Sequence, residues 1–356
     1  MIELVLLLFL GLFAGFLLLW KIPCSRPGPW KGYTVSVVIP ARNEEHNLPT
    51  LLHSLQSSTH KPREVIVVDD HSSDATAKVA NAYGATVLKS RELPPGWTGK
   101  TWACTQGAAA ASGDLLLFLD ADTWLMEDGF SNMLANFSLY RCENTALSLL
   151  PYHETNRPYE ELSLFFNLMM AGGAGGFGVF GEAKLFGPCL LISKSLYLRC
   201  GGHAAVRQHI LENVAMSEHI QSNGARCVCL SGKSVLHVRM FPEGVSQLCE
   251  GWTKAFASGA AASDIGALAA SIAWLSALAA SFLAVFMASG DLRIIPLAIY
   301  AAFVAQIAWF GRQIGRYRWY TFAFFPIPLF FYFILFLTSL LHKVRHQHVT
   351  WRGRNL

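Results

Sequence analysis

Leu115-Leu-Leu-Phe-Leu-Asp-Ala-Asp-Thr123 is the stretch from which the fold is read. Its first five residues are apolar at every position and too few for a helix, so they predict a strand buried on both faces. Such a strand delivers Asp120 and Asp122 to the carboxyl edge of a sheet, where open α/β folds bind ligands. Two carboxylates one residue apart repel each other unless a cation is near. Oxygen donors alone select a hard ion, Mg²⁺ or Mn²⁺. By itself the stretch also reads as a solvated turn after a strand.

Two upstream stretches repeat the design. In Val37-Val-Ile-Pro-Ala-Arg-Asn-Glu-Glu45, Pro40 ends a buried strand and Arg42, Asn43 and Glu44 follow at the ligand edge. In Ile66-Val-Val-Asp-Asp-His-Ser-Ser-Asp74, Asp69 and Asp70 close the strand, and Ser72 or Ser73 is placed to cap the next helix. Around them, strands are expected at Val35–Ile39, Glu64–Val68, Thr86–Lys89, Leu115–Leu119, Ala146–Leu150 and Leu185–Ile192. Helices are expected between them, at Leu48–Leu55, Asp74–Tyr83, Thr101–Ala111 and Glu127–Tyr140. That alternation is an α/β pattern of βαβ units, giving a mostly parallel sheet with helices on both faces. Three strand ends then converge on one polar site.

Composition places this module at a membrane. The chain has 356 residues, 53% of them hydrophobic and only 15% charged, too apolar for an ordinary soluble enzyme. Ile2–Trp20 is an apolar run of about 19 residues, long enough to span a bilayer. Lys21, Arg26 and Lys31 follow it rather than precede it, which argues against a cleaved signal and places the next domain in the cytosol. Ile265–Ala288 and Ile294–Phe310 are further spanning candidates. Tyr320–Leu341 is a third; Pro326-Ile-Pro328 is expected to break it into a re-entrant or interfacial hairpin, which keeps the basic tail in the cytosol. The net charge of +4 is concentrated there: residues 265–356 hold eight Lys/Arg against one acidic residue. That distribution fits a cytoplasmic leaflet and not nucleic acid. The expected domains are an anchor over 1–21, a cytosolic domain over 33–264 with an interfacial helix near 241–260 anchored by Trp252, membrane segments over 265–341 and a basic tail over 342–356. The eight cysteines have no zinc spacing, and Cys104 and Cys189 read as core.

In combination, Val-Ile-Pro-Ala-Arg-Asn-Glu-Glu, Val-Asp-Asp-x-Ser-x-Asp and Leu-Asp-Ala-Asp resemble the family 2 inverting glycosyltransferases of the GT-A, Rossmann-like fold, over roughly residues 34–230. Gly96-Trp-Thr-Gly-Lys-Thr-Trp-Ala-Cys104, Pro151-Tyr-His153, Arg239-Met-Phe-Pro-Glu-Gly244, Glu250-Gly-Trp-Thr-Lys254 and Val349-Thr-Trp-Arg-Gly-Arg354 are similar to the diaponeurosporenoate glucosyltransferases, membrane enzymes that glucosylate a carotenoid acid. The resemblance implies an enzyme that moves one sugar, glucose from UDP-glucose, to a lipid carboxylate with inversion. It implies that Pro40, Arg42, Asn43, Glu44 and Asp70 hold the uridine and that Lys100 approaches the base or diphosphate. Asp120 would face the ribose or sugar, and Asp122, with Asp120, would hold the divalent ion. A hopanoid, polyprenyl-phosphate or glycolipid acceptor is the rival within that chemistry, and a catalytically silent membrane scaffold is the rival outside it.

The resemblance implies an acidic Glu-Asp pair beside the acceptor, the second member acting as base. Here the pair is Glu212-Asn213, so the role falls to Glu212. A carboxylic acid acceptor is already ionised at neutral pH and tolerates a weakened base, leaving Glu212 to orient it. Gln247-Leu-Cys-Glu-Gly-Trp252 stands where processive relatives carry Gln-x-x-Arg-Trp, which argues against a polysaccharide synthase. The run from Leu162 to Phe180, rich in Phe, Met and Gly, suits a long apolar acceptor, its glycines permitting close approach or a mobile lid. His203, His209 and His237 lie near the supposed site; a lone histidine after a strand, such as His237, is read as structural rather than as a metal ligand.

Overall fold

The structure is a computed structural model. It describes all residues except 1, 31, 141, 175, 210, 260–263, 290–292, 345–349, 352, 353 and 356, and the side chains of 2, 254–259 and 342 onward are also outside the description. The tail charges and the Lys254 ammonium therefore lie outside the described residues. The chain forms two compact units, one of Ile22–His153 and Glu182–Arg239, the other of Met1–Lys21, Glu154–Gly181 and Met240–Leu356.

The first unit is built on β1 (Val35–Ala41), β2 (Glu64–Asp69), β3 (Thr86–Lys89), β4 (Leu115–Leu119), β5 (Thr123–Leu125), β6 (Thr145–Leu150), β7 (Tyr152–Glu154), β8 (Cys189–Ser193), β9 (Arg226–Ser231) and β10 (Leu236–Val238). Seven of these make one sheet in the order β3-β2-β1-β4-β8-β6-β9. β1 runs parallel to β2 and β4, and β2 to β3, so three acidic or basic strand ends reach one edge. β8 alone is reversed, antiparallel to both β4 and β6. The expected, mostly parallel sheet is present with that one exception. A smaller sheet pairs β10 with β5 and β7.

Alternation along the strands explains the two-sided burial. Val35, Val37 and Ile39 of β1 enter one core with Leu48, Leu52, Phe130 and Phe137. Val38 faces a second core with Ala103, Leu116, Phe118 and Met216. Helices Leu48–Ser57 and Gly129–Ser138 cover the first face; Gly99–Ala110 and Glu212–Ser222 cover the second. Two local expectations fail. The strand expected from Leu185 begins only at Cys189, because Gly187-Pro188 cannot join a ladder and residues before it form a loop. Neither Ser72 nor Ser73 caps a helix: the helix starts at Thr76 with Ala75 at its cap position and no side-chain cap.

In the second unit, Ile265–Met287 and Ile294–Ile314 are long and apolar enough to cross a membrane, and Glu3–Leu19 and Pro326–Leu341 are shorter apolar helices. The first helix packs closely on Ile265–Met287: a Cβ at Gly11 would lie 2.0 Å from the Ala277 Cβ. Gln306 ties three helices, accepting from Trp274 Nε1 at 2.8 Å and donating to the Leu12 carbonyl at 2.6 Å. No hairpin forms at Pro326-Ile-Pro328. Both prolines sit in the first turn of one helix, Pro326–Val344, where no intrahelical donor is needed. In the glycine-rich stretch after helix Leu164–Gly173, Phe177 and Val179 approach the end of the first helix closely. Val179 N donates to Leu17 O and Lys21 N to Phe177 O, at 2.9 and 2.8 Å. Trp252 is not an exposed anchor either: it stacks on Phe166 at 4.7 Å and donates to Ser163 Oγ at 3.1 Å. Trp20 and Trp319, 63% and 71% exposed, are among the aromatic side chains open to the surroundings.

Candidate active site

The loops after β1 and β2 brace each other before they can bind anything else. Asn43 takes a left-handed conformation (φ 55), which asparagine tolerates, and so does His71 (φ 55). In that pose Asn43 N donates to Ser72 Oγ at 3.0 Å, and its side-chain oxygen accepts from Ser73 N at 2.8 Å. Glu44 N donates to Thr76 Oγ1 at 2.8 Å, and the Glu44 carboxylate accepts from Asn47 at 2.8 Å. Glu45 N reaches Asp74 at 3.1 Å while Ala75 N reaches Glu45 at 2.8 Å. Burial opposes ionisation of Asp74, yet the hydrogen bonds from Thr76 and the Glu45 backbone outweigh it and hold its pKa below the usual carboxylate range. Pro40 pairs with Val68 in the sheet, and Arg42 Nη1 stands 3.7 Å from Asp70 Oδ2. All five expected nucleoside-side residues thus sit at one edge, with Asn43 and Glu44 also serving as loop braces.

Lys100 is the second residue of helix Gly99–Ala110, whose start is capped by the Thr98 side chain accepting from Thr101 N. A cation there opposes the helix dipole and needs carboxylates to hold it. It has two: Lys100 Nζ is 2.7 Å from Asp120 Oδ1 and 2.7 Å from Glu212 Oε1. Its third donor goes to the Gly187 carbonyl at 3.1 Å. Loss of water pulls the lysine pKa down, but Asp120 and then Glu212 outweigh it, so the ammonium is held well above its ordinary value. Glu212 opens helix Glu212–Ser222, at the end where the dipole favours a carboxylate, and its side chain is only 5% exposed against 32% for Lys100. The structure thus joins Lys100, Asp120 and Glu212 in one charge cluster.

Asp120 and Asp122 flank the turn from β4 into β5, which closes with Thr123 N and Oγ1 donating to the Asp120 carbonyl at 3.1 and 2.8 Å. Among the described residues no group of three or more His, Cys, Asp or Glu gathers to hold a metal. The two carboxylates nevertheless fit Mg²⁺ or Mn²⁺, which bind through one or two carboxylates and complete the shell with substrate phosphates and water. His237 adds no metal-binding cluster; its Nε2 lies 2.9 Å from the Lys233 carbonyl and its ring packs on Tyr152 at 5.0 Å. His203 pairs with Tyr197 at 2.9 Å, and burial, reinforced by Lys100, lowers its pKa to about 3. Cys104 and Cys189 are fully buried, and burial pushes the Cys189 thiol up to about 12.

One part of the site escaped the sequence reading. Loop residues Phe186, Gly187 and Pro188 line the charge cluster: Asp120 N donates to Pro188 O at 3.0 Å, and Asn213 Nδ2 donates to Phe186 O and Gly187 O at 2.8 and 3.0 Å. Gly187-Pro188 inside a presumed strand was the available signal.

Comparison with known proteins gives four further findings. Residues 36–214 match the family described as glycosyl transferase family 2. A 4,4'-diaponeurosporenoate glycosyltransferase of Staphylococcus aureus strain USA300 is 33% identical over 329 residues, covering 90% of this chain and 87% of that protein. The form from bovine strain RF122 is 33% identical over 334 residues, covering 90% and 88%. A mannosyltransferase from Pyrobaculum calidifontis, solved with GDP-Man and Mn²⁺, superposes with a TM-score of 0.56 at 18% identity, over 97% of this chain and 99% of that one.

Proposed function

Because the chain belongs to glycosyltransferase family 2 and is a glycosyltransferase of GT-A fold, we propose that it transfers a single glucose from UDP-glucose to the carboxylate of a long apolar lipid, a carotenoid acid above all. The observation that carries the reading is the Lys100 ammonium held 2.7 Å from both Asp120 and Glu212. It couples a donor-side carboxylate at the β4 edge to an acceptor-side carboxylate on another helix. The identity with diaponeurosporenoate glycosyltransferases supports the acceptor class.

In this reading Pro40, Arg42, Asn43, Glu44 and Asp70 hold the uridine, and the mutual bracing of their loops preorganises that pocket. Asp120 faces the sugar. Asp122, with Asp120, would hold Mg²⁺ or Mn²⁺, which would offset charge growing on the departing β-phosphate. The acceptor oxygen attacks the anomeric carbon from the face opposite the diphosphate; the bond to the β-phosphate oxygen breaks and UDP leaves, with inversion. An ionised acid has no proton to surrender, so Glu212 orients rather than deprotonates it. The partly open Lys100 is the cation that such an anionic acceptor meets.

The apolar unit is proposed to hold the catalytic unit at the cytosolic face of the cell membrane as a multi-pass protein. Within the apolar unit, helix Leu164–Gly173 carries Met169 and Met170, both half-buried, residue types suited to a long apolar acceptor. The test is UDP release by the full chain with UDP-glucose and Mn²⁺, offering a long polyene acid or its alcohol. Release with the acid and not the alcohol is expected. Release with the alcohol alone would assign the enzyme to glycoside formation, and release with neither would overturn the carotenoid-acid reading.

A further inference from the structure

We propose that Asn213 is a positioning residue that acts on Lys100 through the carbonyl of Gly187, and that it must be an amide and not a carboxylate. The proposal rests on the placement of Lys100 in the reaction centre argued above. Asn213 is 2% exposed and sits beside Glu212 on the same helix. Its two amide hydrogens are both used, one on Phe186 O at 2.8 Å and one on Gly187 O at 3.0 Å. Turning the amide over would set its oxygen against two carbonyl oxygens, so the chemistry of the neighbours fixes its orientation. Gly187 O in turn accepts from Lys100 Nζ at 3.1 Å, which fills its second acceptor position and gives the ammonium its third partner.

The rest of the loop is built to keep that carbonyl still. Phe186 N donates to Ser148 Oγ at 2.8 Å, and Ser148 Oγ donates to Cys189 O at 2.7 Å. Leu185 N donates to Ser217 Oγ at 2.9 Å, and Ser217 Oγ donates to Asn213 O at 2.9 Å. Both ends of the loop are thus tied, and Asn213 sets its middle. An aspartate at 213 would donate nothing, oppose two carbonyls and add a third carboxylate beside Asp120 and Glu212.

A double-substitution cycle on the full-length enzyme, measuring kcat and donor KM with folding followed by thermal melting, tests this. Asn213→Asp is expected to lower kcat about ten- to a hundredfold with donor KM changed by less than about threefold. In a Lys100→Met background the same substitution is expected to lower the residual kcat by less than about threefold, because its effect passes through the missing ammonium. Equal factors in both backgrounds would make Asn213 merely structural and overturn the proposal. Parent-like turnover by Lys100→Met alone would overturn the underlying reading of the site, and this proposal with it. Should Asn213→Asp fail to melt cooperatively, Asn213→Ala, which removes the donor without adding charge, replaces it in the same cycle.

Discussion

Glu212→Gln separates a base from an orienting group. Glutamine keeps the shape of the side chain and still offers an oxygen to Lys100 Nζ, now 2.7 Å from Glu212 Oε1. What changes is one charge: a charge-assisted contact, worth about 1.5–3 kcal/mol, becomes an ordinary hydrogen bond of about 0.5–1.5 kcal/mol. The difference of about 1 kcal/mol corresponds to roughly fivefold in rate. If Glu212 only holds the acceptor and the Lys100 bridge, kcat on a carboxylate acceptor should fall by about three- to thirtyfold. If it removes a proton in the transition state, the loss should be about 10²–10⁴-fold on any acceptor. The assay is initial-rate UDP release with a saturating polyene acid, repeated with an alcohol of equal length to expose any slow hydroxyl transfer. On the acid, the parent's rate should stay flat with pH above the acceptor's own ionisation, about pH 4–5. A thousandfold loss on the acid by a variant that melts like the parent would refute the orienting role.

Three further outcomes are expected. Asp122→Ala, or a chelator on the parent, should cut turnover by about a hundredfold or more, with added Mn²⁺ restoring only the parent; parent-like turnover in EDTA would remove the metal from the account. Gly178→Ala should destabilise the second unit by about 1–3 kcal/mol, since the new Cβ would lie 2.1 Å from Leu17 O and 2.4 Å from Leu18 O, both main-chain atoms. Faster hydrogen exchange at Val179 N should accompany it. Stability should also fall below neutral pH. Burial lowers both His153 and His203 to about 3, Lys100 adding to the effect on His203. The unfolded chain binds protons that these buried rings refuse. Their contribution is therefore complete above about pH 6.5 and is lost as pH falls toward 3, at up to about 1.4 kcal/mol per pH unit per ring. Melting that is unchanged between about pH 7 and pH 5 would contradict that burial.

The sequence carried the fold wherever one signal dominated. Leu115–Leu119 is a strand at the expected residues because the apolar run is short, and Gly113-Asp114 before it and Asp120 after it bound it too tightly for a helix. Thr86–Lys89 likewise matched, and the three polar strand ends meet because parallel neighbours share an edge. The reversed β8 was not legible, since an apolar run looks the same in either direction. Nor was the burial of Trp252, which depends on Phe166 and Ser163, distant in the chain. At the site, residue type pointed to Asp120 and the family resemblance to Lys100 and Glu212, but their joint contact is set by tertiary packing. Asn213 was legible only as a missing carboxylate; its work as a donor is visible only once the Gly187 carbonyl is placed beside it.

Lipids extracted from cells with and without the protein, separated and weighed by mass spectrometry, test the central claim most directly. A hexose is expected on a polyene acid only when the protein is present, and mild alkali should release the free acid as it does from an ester. A hexose adduct that survives alkali, or no adduct on any acid, would contradict it.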